Sequence, residues 1–500
     1  MSAQEMHRPQ ASALRRFENF IDGRRRSPST GNWLPSIDPS TGQAWAEIPL
    51  SGASDVDEAV SAAERAFRGP WSRMRCAERA GVLRKLADLV SQNSKELAQM
   101  ETRDCGRILN ETLSGDLYGV SQIFHFFAGA ADKLHGETVE TDPATFRVAR
   151  REPVGVVAAI LPWNAPLALM AAKVGPALAA GCTIVVKPAE SASCSILKFA
   201  DLIEAAGIPA GVVNFVAGLG SVGDALAGHA KVRKLTFTGS TATARSITRR
   251  SADAIKPLAF ELGGKSANII FDDADLDKAL VGATTSSIFT GGAGQSCVAG
   301  SRILVQRTIY DSFIERVAGV ARQLRLGDPQ DHATQMGPIA LDRQYDKVRD
   351  YIEIGKQEGA ELVSGGRSGA VLMDTGSPFG GGYWIEPTLF ASVRNDMRIA
   401  REEIFGPVAC AIPFDDEEQA VAIANDSPYG LAAAVWTKNV KRALLVAERL
   451  ETGNVWVNSY HLTHWATPFG GVKDSGYGRD CGTEAVRGYQ YIKCISIDLS

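Results

Sequence analysis

The chain reads as an α/β protein: two lobes, each a doubly wound parallel sheet flanked by helices, with a small β arm outside both. Three observations carry this reading. Its 500 residues amount to roughly three domains at about 150 residues each, more than a single hydrophobic core serves. From about residue 153 short β-rich runs alternate with Ala- and Leu-rich helical stretches, the pattern of parallel sheets rather than of a bundle or a sandwich. Two segments, 138–151 and 488–499, alternate polar and apolar residues as paired strands do and fit neither lobe.

In the first lobe strands are expected at 154–161, 183–187, 212–216, 234–238 and 268–271, with helices at 167–180, 193–206, 221–227 and 241–251 between them. Gly207-Ile208-Pro209 is a strong stop for the second helix. A second series follows Asp275, with helices near 276–289, 310–324, 343–358, 417–425 and 441–450. Strands near 302–305, 408–412, 432–436 and 454–457 separate them. The Gly-rich stretch 376–382 reads as a surface excursion and Arg24-Arg25-Arg26 as a solvated turn. The first sixteen residues are expected to be mobile.

Composition narrows the function. With 45% hydrophobic and 22% charged residues, and 53 Lys+Arg against 57 Asp+Glu for a net charge of −4, the chain is neither disordered nor built for nucleic acid. No apolar run approaches the ~18 residues of a membrane span; the longest, 154–161, stops at Pro162. With no apolar leader in its first twenty residues, the protein is expected to be cytoplasmic. The 8 cysteines form no CxxC pair, and no histidine spacing indicates a protein-bound metal.

Three residues are candidates for chemistry. Cys297, in Gly294-Gln295-Ser296-Cys297, sits among small residues that leave room for a substrate carbon, although a lone cysteine is more commonly a small core residue. Glu261 lies near the end of the apolar run LAFEL, which two glycines follow; so placed, a carboxyl either gains the raised pKa of a general base or pairs with Lys265. Asn164, between Pro162 and Pro166, offers a neutral donor suited to an oxyanion, or merely forms a turn. Leu167, Leu169, Ser296, Val298 and the loop from Tyr460 to Trp465 are expected to line the substrate pocket, with Trp465 and Tyr460 forming an aromatic wall for a bulky, aromatic or cationic aldehyde or packing in the core.

The ordered motifs PWNAP (162–166), KPAE (187–190), FTGST (237–241), ELGGKS (261–266), GQSC (294–297), EEIFGP (402–407) and PFGGVKDSGYGR (468–479) resemble those of the NAD(P)-dependent aldehyde dehydrogenase superfamily. The resemblance runs from Phe17 to the C-terminus. It implies that Cys297 attacks the aldehyde carbon, that Asn164 and the Cys297 backbone N–H hold the oxyanion, and that Glu261 activates the water that hydrolyses the resulting thioester. It places Lys173 in the polar network around these groups. A CoA-acylating semialdehyde dehydrogenase is the close rival, and the presence of Glu261 argues for water.

For the cofactor, Gly218-Leu219-Gly220-Ser221-Val222-Gly223 spells a GxGxxG phosphate loop. The resemblance instead makes that loop a side wall and gives the phosphate contact to Ser240, at the next helix N-terminus. Further contacts are implied at Ile160, Trp163, Lys187, Glu190, Gly220, Phe237, Gly239, Leu262, Glu403 and Phe405. A Glu at 190 repels a 2′-phosphate, so NAD is favoured, with NADP as the second candidate. Ala244 stands where the family's motif usually closes on glycine, and Asp480 where relatives carry Glu. The resemblance divides the chain into an NAD-binding domain (17–137 and 152–263), an oligomerisation arm (138–151 and 483–500) and a catalytic domain (264–482). A small aldehyde as substrate and a homodimer or homotetramer are expected.

Overall fold

The computed structural model describes residues 14–500, so most of the expected mobile leader lies outside the described residues. Its last two residues are anchored, contrary to that expectation: Arg15–Arg16 run parallel to Gln43–Pro49, which pairs antiparallel with Trp33–Asp38. The anchor is the adjacent Phe17, buried edge-on against Trp45 with ring centroids 6.0 Å apart.

The first lobe contains β1 (Val156–Ile160), α1 (Pro166–Ala180), β2 (Thr183–Lys187), α2 (Cys194–Ala206), β3 (Val213–Phe215), α3 (Gly220–Gly228), β4 (Lys234–Thr238), α4 (Thr241–Ser251) and β5 (Leu258–Glu261). These strands are parallel in the order β5-β4-β1-β2-β3. The chain winds outward from β1 to β3 and then crosses back to β4, so the winding reverses between β1 and β4. Every residue of β1, β2 and β4 is buried, which is why the sequence shows continuous apolar runs there rather than alternation.

Antiparallel strands extend this sheet at both edges. Asn19–Ile21 and Arg24–Arg26 lie beyond β3, and Gly476–Tyr477, from the far end of the chain, pairs with β5. The arginine run is therefore an edge strand, not a solvated turn. Asp22 and Gly23 take φ of 53° and 70°, the left-handed pair that closes a two-residue hairpin. Arg25 is tied to the Leu197 carbonyl and Asp201, and the exposed charges discourage further strand pairing.

The second lobe contains β6 (Ala267–Ile270), β7 (Arg302–Gln306), β8 (Thr388–Ala391), β9 (Val408–Phe414), β10 (Ala432–Trp436) and β11 (Asn454–Val457). They run parallel in the order β8-β9-β7-β6-β10-β11, and Glu361–Ser364 caps β8 antiparallel. The helix expected over 276–289 stops at Ala283. Its successor Thr284 turns its hydroxyl back onto the Leu280 carbonyl at 2.6 Å, competing for the backbone, and the chain continues as turns towards Cys297.

The two segments outside the lobes do pair: Gln490–Asp498 runs antiparallel to Thr145–Pro153, which also carries Glu137–Thr138. The ribbon stands out from the lobes, with Ile492 59% and Leu499 61% exposed. The 376–382 stretch is less free than a surface excursion. A Cβ on Gly42 would lie 2.5 Å from the Gly381 carbonyl, and Tyr383 N–H bonds the Pro39 carbonyl, so the stretch docks on the first lobe. Among the described residues no helix is long and apolar enough to cross a membrane.

Candidate active site

In an open parallel sheet ligands sit beyond the carboxyl ends of the strands, at the reversal of winding. Ile160 ends β1, Lys187 ends β2 and Glu261 ends β5, while Phe237 is the penultimate residue of β4. Trp163 and Asn164 lie in the β1–α1 connection, Gly239 and Ser240 between β4 and α4, and Leu262 just after β5. Ser240 caps α4, its Oγ accepting from Thr243 N–H at 3.2 Å. Gly220 opens α3 with nothing within 4 Å of where a Cβ would stand. Ala244 is buried without disturbing α4.

The second lobe closes over this edge. The Asn164 side-chain amide donates to the Gln295 carbonyl at 3.0 Å, two residues before Cys297. Trp163 and Phe405 meet edge to face, centroids 5.3 Å apart, and Phe405 holds a strained φ of 60°. Glu403 accepts from Gly264 N–H at 3.0 Å; a Cβ on Gly263 would sit 2.2 Å from its carboxylate, so the double glycine of ELGGK admits it. Arg343 reaches across to Glu190 at 3.3 Å, and Lys187 lies 3.4 Å from the same carboxylate.

Glu261 is 6% exposed and neither carboxylate oxygen has a partner. It is not salt-bridged to Lys265, whose buried Nζ also lacks one. Gly470 is required beside it, since a Cβ there would lie 2.5 Å from Oε1. Burial first, and then the negative charge of Asp480, push the Glu261 carboxyl well above the usual carboxylate range, while Lys173 and Arg479 pull it back. Lys173 Nζ and Asp480 Oδ2 form a buried ion pair at 2.6 Å. Cys297 is a free, half-buried thiol. Burial, then Glu261 and Glu403, push it up to about 12, so it rests protonated.

Several expected pocket residues belong to the core instead. Leu167 and Val298 are 0% and 3% exposed. Tyr460 is buried, its hydroxyl donating to the Val298 carbonyl at 2.7 Å. Leu169, Ser296 and Trp465 remain partly exposed.

Three supports of the site carry no role in the sequence reading. Gln295 donates to the Gly292 and Pro338 carbonyls and accepts from Ala340 N–H, fastening the turn that carries Cys297. Glu101, fully buried, accepts from Leu167 N–H at 3.0 Å at the head of α1; burial, then Asp116, push it up to about 8. Glu111 holds Gly291 N–H at 2.6 Å. The available signal is polarity out of place: Gln295 stands in an otherwise small-residue run, and Glu101 on the same helix face as Leu97, Ala98 and Cys105.

Two doubly wound lobes close a thiol, an unpaired carboxyl and an amide between them, the architecture of a two-lobed α/β enzyme. The chain belongs to the aldehyde dehydrogenase family, whose profile matches residues 26–495. It is 44% identical over 481 residues to a hydroxyisobutyraldehyde dehydrogenase of Mycolicibacterium austroafricanum, covering 96% of this chain and 93% of that one. It is 42% identical over 478 residues to an aldehyde dehydrogenase of Aspergillus niger, covering 95% and 94%. The structure superposes on the NAD+ complex of an aldehyde dehydrogenase from Bacillus cereus with a TM-score of 0.94, at 41% identity and 97% coverage of both chains. This makes it an oxidoreductase of aldehydes.

Proposed function

We propose that this enzyme oxidises an aldehyde to the carboxylic acid with NAD+ through a thioester on Cys297, in the balance aldehyde + NAD+ + water → acid + NADH + H+. The observation that carries the reading is the unpaired, buried carboxyl of Glu261 beside a thiol that it influences electrostatically. A structural carboxylate would have a partner. One held without any is suited to a water.

The strand ends fit a dinucleotide. Thr238 Oγ1 is buried without a partner at the end of β4, and Ser240 stands at a helix N-terminus where amides and dipole favour a phosphate. Lys187 and Glu190 would hold the adenine ribose, Glu403 the nicotinamide ribose, and Trp163 with Phe405 would bound the ring. NAD(P)+ bound there supplies the hydride acceptor.

The protein's own groups do the rest. Asn164 has two amide hydrogens; one is fixed on the Gln295 carbonyl, leaving the other, with the Cys297 N–H, for the oxyanion. The Cys297 thiol gives up its proton to solvent as its sulfur bonds the carbonyl carbon and, once hydride has left, that sulfur carries the acyl group. Glu261 takes a proton from the water that displaces that sulfur. Lys173 and Asp480 set how readily Glu261 ionises. The exposed ribbon points to a homodimer or homotetramer in which it lies on a neighbouring subunit, since a thin ribbon is marginal alone.

The reading is tested by following NADH formation with a panel of small aldehydes. Cys297→Ala should abolish it, and added CoA should not change the carboxylic acid product. Retained oxidation by Cys297→Ala, or an acyl-CoA product, would refute the reading.

A further inference from the structure

The segment from Tyr460 to Phe469 has both ends beside the nucleophile and its middle on the other lobe. Tyr460 and Phe469 pack in the cluster that Cys297 joins, whereas Trp465 packs against the core of the first lobe. Its apex is pinned by Gly482 N–H on the Trp465 carbonyl at 2.8 Å. It therefore spans the seam between the lobes as a rim beside the cluster that Cys297 joins. That rim is aromatic: Trp465 lies 4.2 Å from the His464 ring, tilted 31°, and meets Tyr118 edge on at 6.0 Å. Tyr118 belongs to helix Tyr118–Ala130 of the first lobe and is 56% exposed.

The rim has room and little free charge. Gly115 and Gly119 flank Tyr118, and a Cβ on either would meet nothing within 4 Å. The nearby acids Glu111 and Asp116 both pair with Arg107, at 3.3 and 2.9 Å. Such a surface offers π-faces and edges to a flat ring, and no free carboxylate beside them to strengthen its hold on a cation.

We propose that Tyr118 and Trp465 form the outer half of the substrate site and select an uncharged aromatic aldehyde, whose ring rests against them while its carbonyl reaches Cys297. The proposal rests on the aldehyde-oxidising reading above and adds the class of substrate.

The test compares kcat/KM for benzaldehyde, propanal and trimethylammonioacetaldehyde in the full-length enzyme and in Tyr118→Ala, Trp465→Ala and Trp465→Phe. Benzaldehyde should be the best of the three by about tenfold or more. The benzaldehyde-to-propanal ratio should fall about tenfold in each alanine variant and return in Trp465→Phe. Tyr118, being exposed, can be replaced without unfolding the chain, which keeps the test informative if Trp465→Ala is unstable. Oxidation of propanal or the cationic aldehyde as efficiently as benzaldehyde, or an unchanged ratio in Tyr118→Ala, would overturn the substrate class and leave the reaction standing. No oxidation of any aldehyde would instead overturn the reaction.

Discussion

Lys173 Nζ stands 2.6 Å from Asp480 Oδ2, a buried ion pair joining a first-lobe helix to the C-terminal motif, and its two charges act on Glu261 in opposite directions. Asp480 disfavours the Glu261 carboxylate and Lys173 favours it. Removing the negative member should therefore lower the Glu261 pKa. Asp480→Asn is expected to move the acidic limb of the turnover profile to lower pH, because less alkali is then needed to ionise the base. A pH profile of kcat from 5 to 9 checks this; a shift to higher pH would contradict the assignment. Breaking the pair from either side should destabilise the protein by about 3–5 kcal/mol, but Asp480→Asn keeps a side chain of the same shape that still accepts a hydrogen bond from Lys173, so Asp480 is the cleaner position.

The second prediction concerns Gln295, which fastens the turn carrying Cys297 and supplies the carbonyl that orients Asn164. Gln295→Ala should slow the first-turnover burst of NADH by about 10- to 100-fold, somewhat less than loss of a whole oxyanion donor. KM for the cofactor should barely change, since no cofactor contact is assigned to it. An unaltered burst rate would remove Gln295 from the account.

Cofactor choice should turn on Glu190, held between Lys187 and Arg343. Glu190→Ser removes the repulsion of a 2′-phosphate and leaves two cations facing it. The ratio of kcat/KM for NADP+ to that for NAD+ is expected to rise about tenfold or more, and Arg343→Ala in that background should reverse much of the gain. Equal ratios in all three proteins would show that the ribose binds elsewhere.

Assembly is tested by truncation, and the cut belongs after Tyr489. Tyr489 is 3% exposed and stacks under Lys234, so it belongs to the lobe, whereas Gln490–Asp498 is ribbon. Removal of 490–500 should expose the edge of Thr145–Pro153 and yield aggregates or weakly active monomers by size-exclusion chromatography with light scattering. A truncated protein that keeps its size and activity would refute the arm reading.

The strands at the centre of both sheets were legible because full burial writes itself as short apolar runs closed by Gly or Pro, as at Thr183–Lys187 and Ala432–Trp436. Arg24–Arg26 was not legible, since an edge strand needs no apolar face and only the Asp22-Gly23 turn marks it. The helix after Asp275 was read too long because hydroxyl competition at Thr284 leaves the apolar pattern intact. The residues proposed for the chemistry stand in recognisable motifs. What ties them together was not legible: the hydrogen bonds of Gln295 and the reach of Arg343 join residues far apart in the chain, and composition carries no trace of them.

The central claim, that Glu261 serves only the step after hydride transfer, is met most directly by rapid mixing of Glu261→Gln with an aldehyde and NAD+, with intact mass measured on the quenched protein. The account predicts a burst of about one NADH per site, almost no steady turnover, and an acyl adduct on Cys297. Loss of burst and turnover to the same degree, with no adduct, would contradict it.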